Sequence, residues 1–152
     1  MSMAEKRKKK METKTKTESS INDAIKNRAE AIAALPQPYQ RVDDDFLKEN
    51  EAAISVLKRQ YENSGGIVLL SVENDPDMTA IAKIPDKALI DAAFKKDGQA
   101  ADYYMLGQCL LYPSFDVIQK WVNTGSPGIV PTWTGVLLKE AKVTVEGKAK
   151  KL

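Results

Sequence analysis

Histidine is absent from this 152-residue chain, and cysteine occurs once, at Cys109. The first absence removes Ser–His and Cys–His nucleophile pairs and the commonest metal ligand. The second excludes an intramolecular disulfide and a cysteine-rich zinc site. No apolar run approaches the roughly 20 residues that a helix needs to cross a bilayer. The basic start is followed by polar Thr and Glu instead of an apolar segment, which argues against a secretory signal. A soluble protein of a reducing, cytoplasmic compartment, with no membrane partner, is the expectation. Apolar residues (43%) and charged residues (29%) stand near globular averages, so one domain with a real core is expected.

What is present is unevenly charged. Residues 1–18 carry seven bases against three acids, whereas the rest of the chain carries sixteen bases against eighteen acids. The first 18 residues hold no aromatic or β-branched apolar residue, and such a segment buries too little surface to offset the entropy of ordering. A disordered basic arm is predicted, whose Lys6, Arg7, Lys8, Lys9 and Lys10 are candidates to contact phosphates through counterion release. No aromatic interleaves them, so base stacking is not available to that arm.

Ser20-x-x-Asp23 reads as a capping-box-like helix start. Ile21, Ile25, Ala29 and Ile32 then repeat at helical spacing to Leu35, where Pro36-Gln37-Pro38 stops the ladder. The apolar stripe is narrow and its opposite face is polar. Ile21, Ile25, Ile32 and Leu35 are therefore candidates to dock on a partner or on another copy. A second helix is predicted after Asp43-Asp44-Asp45, with Phe46, Ile54, Leu57 and Tyr61 on its apolar face, ending at Asn63-Ser64-Gly65-Gly66. Ile67–Val72 is a branched apolar run and reads as a strand. Glu73–Met78 reads as a polar turn and Thr79–Ile84 as the returning strand, a hairpin with a loop longer than two residues. Pro85-Asp86 opens a helix to about Lys95, with Leu89, Ile90, Ala93 and Phe94 inward. Residues 100–112 form the most apolar helical segment, expected at the centre of the core and ended by Pro113. Ser114 caps a short helix with Phe115, Ile118, Trp121 and Val122. Pro131 suits the first turn of a last helix carrying Trp133, Val136, Leu137 and Ala141. Trp121 and Trp133, the largest side chains, suit either core packing or a partner-binding anchor.

Catalytic and metal motifs fail one by one. Asp75-x-Asp77 begins like an EF-hand loop, but Pro76 intervenes, Ala80 stands where glycine is required, and Asp86 replaces the closing glutamate. The Asp43–Asp45 run is explained by helix capping. Gly65-Gly66 precedes a strand instead of opening a helix, and no phosphate-loop motif exists. Gly125-Ser126-Pro127-Gly128 lacks the spacing of a nucleophile elbow. Cys109 lies on an apolar helix face without a basic partner and reads as a small buried hydrophobe. No catalytic residue, cofactor or metal is predicted.

From Gly65 onward the elements follow a familiar order. A Gly-initiated strand, a loop and a second strand ending Lys83-Ile84-Pro85 lead into an Ala-rich helix. A helix ending Cys109-Leu110-Leu111-Tyr112-Pro113 comes next, and Leu137-Leu138-Lys139 marks the last helix. Over about residues 65–140 this resembles small bacteriophage proteins of tail gene clusters, the tail assembly chaperones. They share a proline at a helix start, a short acidic loop, a small residue or cysteine before x-x-Pro, and a leucine-rich final helix. The lysine run and the Ile21–Leu35 helix depart from that pattern. The resemblance implies a non-enzymatic, chaperone-like phage assembly protein of the host cytoplasm that binds a tail or virion component. It brings no catalytic residues.

The expected architecture is α+β: one β-hairpin packed against a cluster of short helices, mostly helical, with a disordered basic N-terminal arm. The expected divisions are that arm at 1–18, an amphipathic helix and Pro-rich linker at 19–38, a globular α+β domain at 39–145, and a frayed basic tail at 146–152. Binding to another protein through apolar helix faces leads the functional expectations, and homo-oligomerisation is compatible with it. A virion structural component kept in the mature particle is the first alternative, and a nucleic-acid-binding accessory protein using the arm is the second.

Overall fold

Asn27 sets where the first described helix begins. In the computed structural model, which describes residues 25–142 and 149–151, its side-chain oxygen accepts from the Glu30 N–H at 2.9 Å. Glu30 in turn accepts from the Lys26 N–H at 2.8 Å, a reciprocal cap that starts α1 at Arg28–Ala34. The expected helix start at Ser20, the arm at 1–18 and Ile21 all lie outside the described residues. Within them, the helical reading is corrected: Ile25 and Lys26 precede the cap and are not helical.

The segment after Asp43 is two helices, not one. Asp43 accepts from the Phe46 N–H at 2.9 Å and opens α2 (Asp44–Glu49). Asn50 leaves helical backbone (φ −112°, ψ 26°), and its side-chain amide donates to the Phe46 carbonyl at 2.8 Å. A side chain that competes for a helix carbonyl ends the helix there, and α3 (Glu51–Tyr61) starts with Asn50 as its N-cap. Gly65 and Gly66, with φ of +102° and +83°, then turn the chain into the sheet. Such backbone favours residues without a Cβ.

β1 (Ile67–Val72) has the expected bounds. β2 (Asp75–Lys83) starts earlier than expected, because Val72 already pairs with Asp75 after a register irregularity at Ser71/Val72. The long turn is thereby corrected to Glu73–Asn74. Pro76 is compatible with strand here because the third strand pairs only with Ile81 and Ala82, far from it. α4 (Lys87–Phe94) is capped by Asp86, which accepts from the Leu89 N–H at 2.8 Å. α5 (Gln99–Cys109) is shorter than the expected 100–112 helix: Leu110–Tyr112 is β3, antiparallel to β2. α6 (Phe115–Thr124) and α7 (Ile129–Glu140) complete the described elements.

The three strands lie in the order β1-β2-β3, with helices on both faces. Leu70, Ala80 and Ala82 pack with Met105, Leu106, Cys109, Ile118, Trp133 and Leu137 in a core made with α4–α7. Ile81 and Tyr112 pack with Ala31, Leu35, Phe46, Ile54 and Leu57 in a second core made with α1–α3. The fold is α+β, as expected. α5 is central to one core only; the element common to both is the sheet.

Hydrogen bonds of buried Tyr112 and half-buried Tyr39 tie the layers together. The Tyr112 hydroxyl donates to the Pro36 carbonyl and accepts from the Gln40 N–H, each at 2.7 Å. The Tyr39 hydroxyl accepts from the Thr79 N–H at 3.0 Å, and Thr79 Oγ1 accepts from the Val42 N–H at 2.7 Å. Residues 36–42 are thus pinned to the middle of β2 at Thr79 and to the end of β3 at Tyr112.

Candidate protein-binding groove

The open edge of β1 is the most unusual surface of the described structure. In an antiparallel pair, alternate residues turn both backbone polar groups toward the partner strand and the intervening ones turn them away. The Ile84 N–H donates to the Gly66 carbonyl at 3.3 Å, which sets the phase of β1. Gly66, Val68 and Leu70 face β2, whereas Ile67, Leu69 and Ser71 direct their N–H and C=O groups outward. An independent contact agrees: the Trp133 indole donates to the outward Ser71 carbonyl at 3.0 Å. Among the described residues, no hydrogen bond uses the outward groups of Ile67 or Leu69.

This edge borders a groove of about 450 Å³ between the sheet and the α2–α3 pair. Three consecutive strand residues, Ile67, Val68 and Leu69, line it, so the strand's edge forms one wall. Leu47, Ile54 and Ile81 add apolar surface, and Lys48 and Lys58 stand at the rim against one acid, Glu51. Lys83, paired across from Ile67, is held 5.7 Å from the Tyr61 ring. Leu69 is 49% exposed, an unusual degree for a leucine in a strand. Edge strands normally carry a charge, a proline or a short length that discourages pairing. Ile67–Val72 has none of these.

Those residues singled out from sequence that the structure describes lie elsewhere. Ile25, Leu35 and Trp133 are buried in the cores, and α1 packs against α3. Ile32 is half-buried on the same core. Trp121 is half-buried and stacks edge-on with Tyr39 at 5.0 Å and with Trp133 at 6.2 Å. Ile21 and Lys6, Arg7, Lys8, Lys9 and Lys10 lie outside the described residues. Phe94, expected inward, is exposed, and so is Val136 on the last helix. Ala93 already fills the contact of the short α4, and Trp133, Thr134 and Leu137 fill that of α7.

The groups considered for chemistry have structural partners. The Asp77 N–H donates to Asp75 Oδ1 at 3.2 Å, and Asp77 lies 3.6 Å from Arg41, which also pairs with Asp43 at 3.1 Å. The Phe46 N–H holds the Asp43 carboxyl below its ordinary range, helped by Arg41. Burial pushes the Cys109 thiol up to about 11, away from the thiolate that nucleophilic chemistry requires. Among the described residues no group of three or more His, Cys, Asp or Glu is placed to hold a metal ion, and no helix is long and apolar enough to cross a membrane.

Fold and groove together define an α+β domain with an apolar strand edge available for main-chain pairing. Compared with known protein families, curated proteins and solved structures, the chain finds no match in any of the three.

Proposed function

We propose that this chain is a non-enzymatic, chaperone-like bacteriophage assembly protein that acts by binding another protein. The observation that carries the protein-binding part is the apolar β1 edge, unpaired among the described residues, beside the 450 Å³ groove. Main-chain pairing at such an edge supplies affinity, and neighbouring side-chain pockets supply selectivity. The phage part rests on the sequence resemblance over about residues 65–140 to tail assembly chaperones. The binding surface is the sheet edge and groove, not the α1 face. The test is co-expression of the tagged chain with tail-tube and tape-measure proteins. Stable capture of one of them is expected, and capture of neither would end the reading.

Two alternatives give different results. A structural part would be found by mass spectrometry in purified particles, whereas a chaperone is absent from them. A nucleic-acid-binding protein using the arm would lose affinity when residues 1–18 are deleted. Its log K would fall with log salt at a slope of about −0.9 per neutralised phosphate.

A further inference from the structure

We infer that β1 receives a further strand in trans, supplied by an extended segment whose apolar side chains alternate along one face and are flanked on that face by carboxylates. The inference rests on the protein-binding reading above and gives the chemistry of the partner.

Main-chain geometry gives the extent of pairing. Among the described residues, the two outward N–H and two outward C=O groups of Ile67 and Leu69 have no partner, while the Ser71 carbonyl already accepts the Trp133 indole. Four main-chain hydrogen bonds are therefore available, enough to hold a segment of about five residues at the spacing of strand pairs. Trp133 marks the far end of the site.

Side chains give the character of the occupant. A strand laid on this edge sends every second side chain to the face that α2 and α3 overhang. There it meets Leu69, Leu47 and Ile54, so its central residues on that face are apolar. The rim beyond them holds Lys48 and Lys58 against the single Glu51, with Lys83 at the Ile67 end. Neither Lys48, Lys58 nor Lys83 forms a salt bridge among the described residues. Carboxylates flanking the apolar pair complement that excess of positive charge, and a basic segment is repelled.

The experiment uses the full chain and two heptapeptides, Glu-Thr-Val-Thr-Val-Thr-Glu and the same peptide with Lys at both ends. Binding is followed by calorimetry and by amide exchange. The Glu-ended peptide is expected to bind about tenfold more tightly at low salt, an advantage that shrinks as salt screens the rim. Exchange at the Leu69 amide is expected to slow when it binds. Leu69→Pro removes an outward N–H without removing a β1–β2 ladder bond, so it is expected to abolish binding while the fold persists. N-methylation of the central Val residues blocks the same pairing from the peptide side and decides the matter should the Pro variant not fold.

Binding that survives both Leu69→Pro and N-methylation overturns the inference. Equal affinity for the Lys-ended peptide overturns its charge chemistry. A Leu69 amide already protected in the peptide-free chain, by a second copy or by the chain's own termini, overturns the partner. The underlying reading fails separately: capture of tail proteins by Leu69→Pro at wild-type level sinks the inference alone. Peptide binding as expected with no tail protein captured sinks the phage reading alone.

Discussion

Trp133 and Tyr112 are buried side chains with polar tips, and each tip reaches backbone in another element. Trp133→Ala is expected to cost about 3–5 kcal/mol by chemical denaturation, as for other large-to-small aromatic changes in cores. Tyr112→Phe keeps the ring but strands the Gln40 N–H and the Pro36 carbonyl. A loss of about 1–3 kcal/mol is expected if both remain without water. Cys109 makes a pH prediction. Its folded pKa of about 11 lies above its ordinary value of 9.0 because burial penalises the thiolate. The native state thus holds a proton that the unfolded chain releases first. Its contribution is fully present below pH 9 and is lost between about pH 9 and 11, up to roughly 2–3 kcal/mol. Urea midpoints are expected to fall across that window and to fall less in Cys109→Ala. Alkylation of native Cys109 at pH 8 is expected to be slow and to become rapid in denaturant.

Elements were readable where local chemistry alone decides them. The apolar branched run Ile67–Val72 is bounded by Gly65-Gly66 and Glu73-Asn74, and its limits are those expected. Asp86 caps α4 as Pro85-Asp86 suggested. β3 was hidden because Leu110, Leu111 and Tyr112 continue the apolar spacing of α5, and only pairing with Ile81 and Ala82 makes them strand. The break at Asn50 was hidden for a related reason: Asn is tolerated in helices until its side chain finds a carbonyl. The groove was less legible still. Lys48, Lys58 and Leu69 are unremarkable in sequence, and an open edge is a property of strand order; an uncharged, proline-free hairpin strand was the one available signal. The turn into β1 is a further test. Gly65→Ala would place a Cβ 3.2 Å from the Ile84 Cβ in positive-φ backbone, whereas Gly66→Ala meets nothing within 4 Å. Both are expected to destabilise, Gly65→Ala by more, with about 1 kcal/mol as the scale of the backbone effect.

At the scale of the whole molecule, three strands serve as the shared wall of two cores. Residues 36–42 lash the α1–α3 layer to β2 and β3 through Tyr39, Tyr112 and Thr79, so that layer is expected to open before the other when Tyr112→Phe weakens the tie. Native-state amide exchange is expected to show α1–α3 losing protection at lower denaturant than α5 and α7 in that variant. Equal loss in both layers would show that they open together. The Trp133 indole also sits where an arriving strand would end, on the one outward carbonyl of β1 already engaged. Its emission is therefore expected to report occupancy of the edge. With Trp121→Phe leaving a single tryptophan, titration of the edge should be visible by fluorescence excited selectively at the indole, with no dye, tag or second protein to complicate the signal.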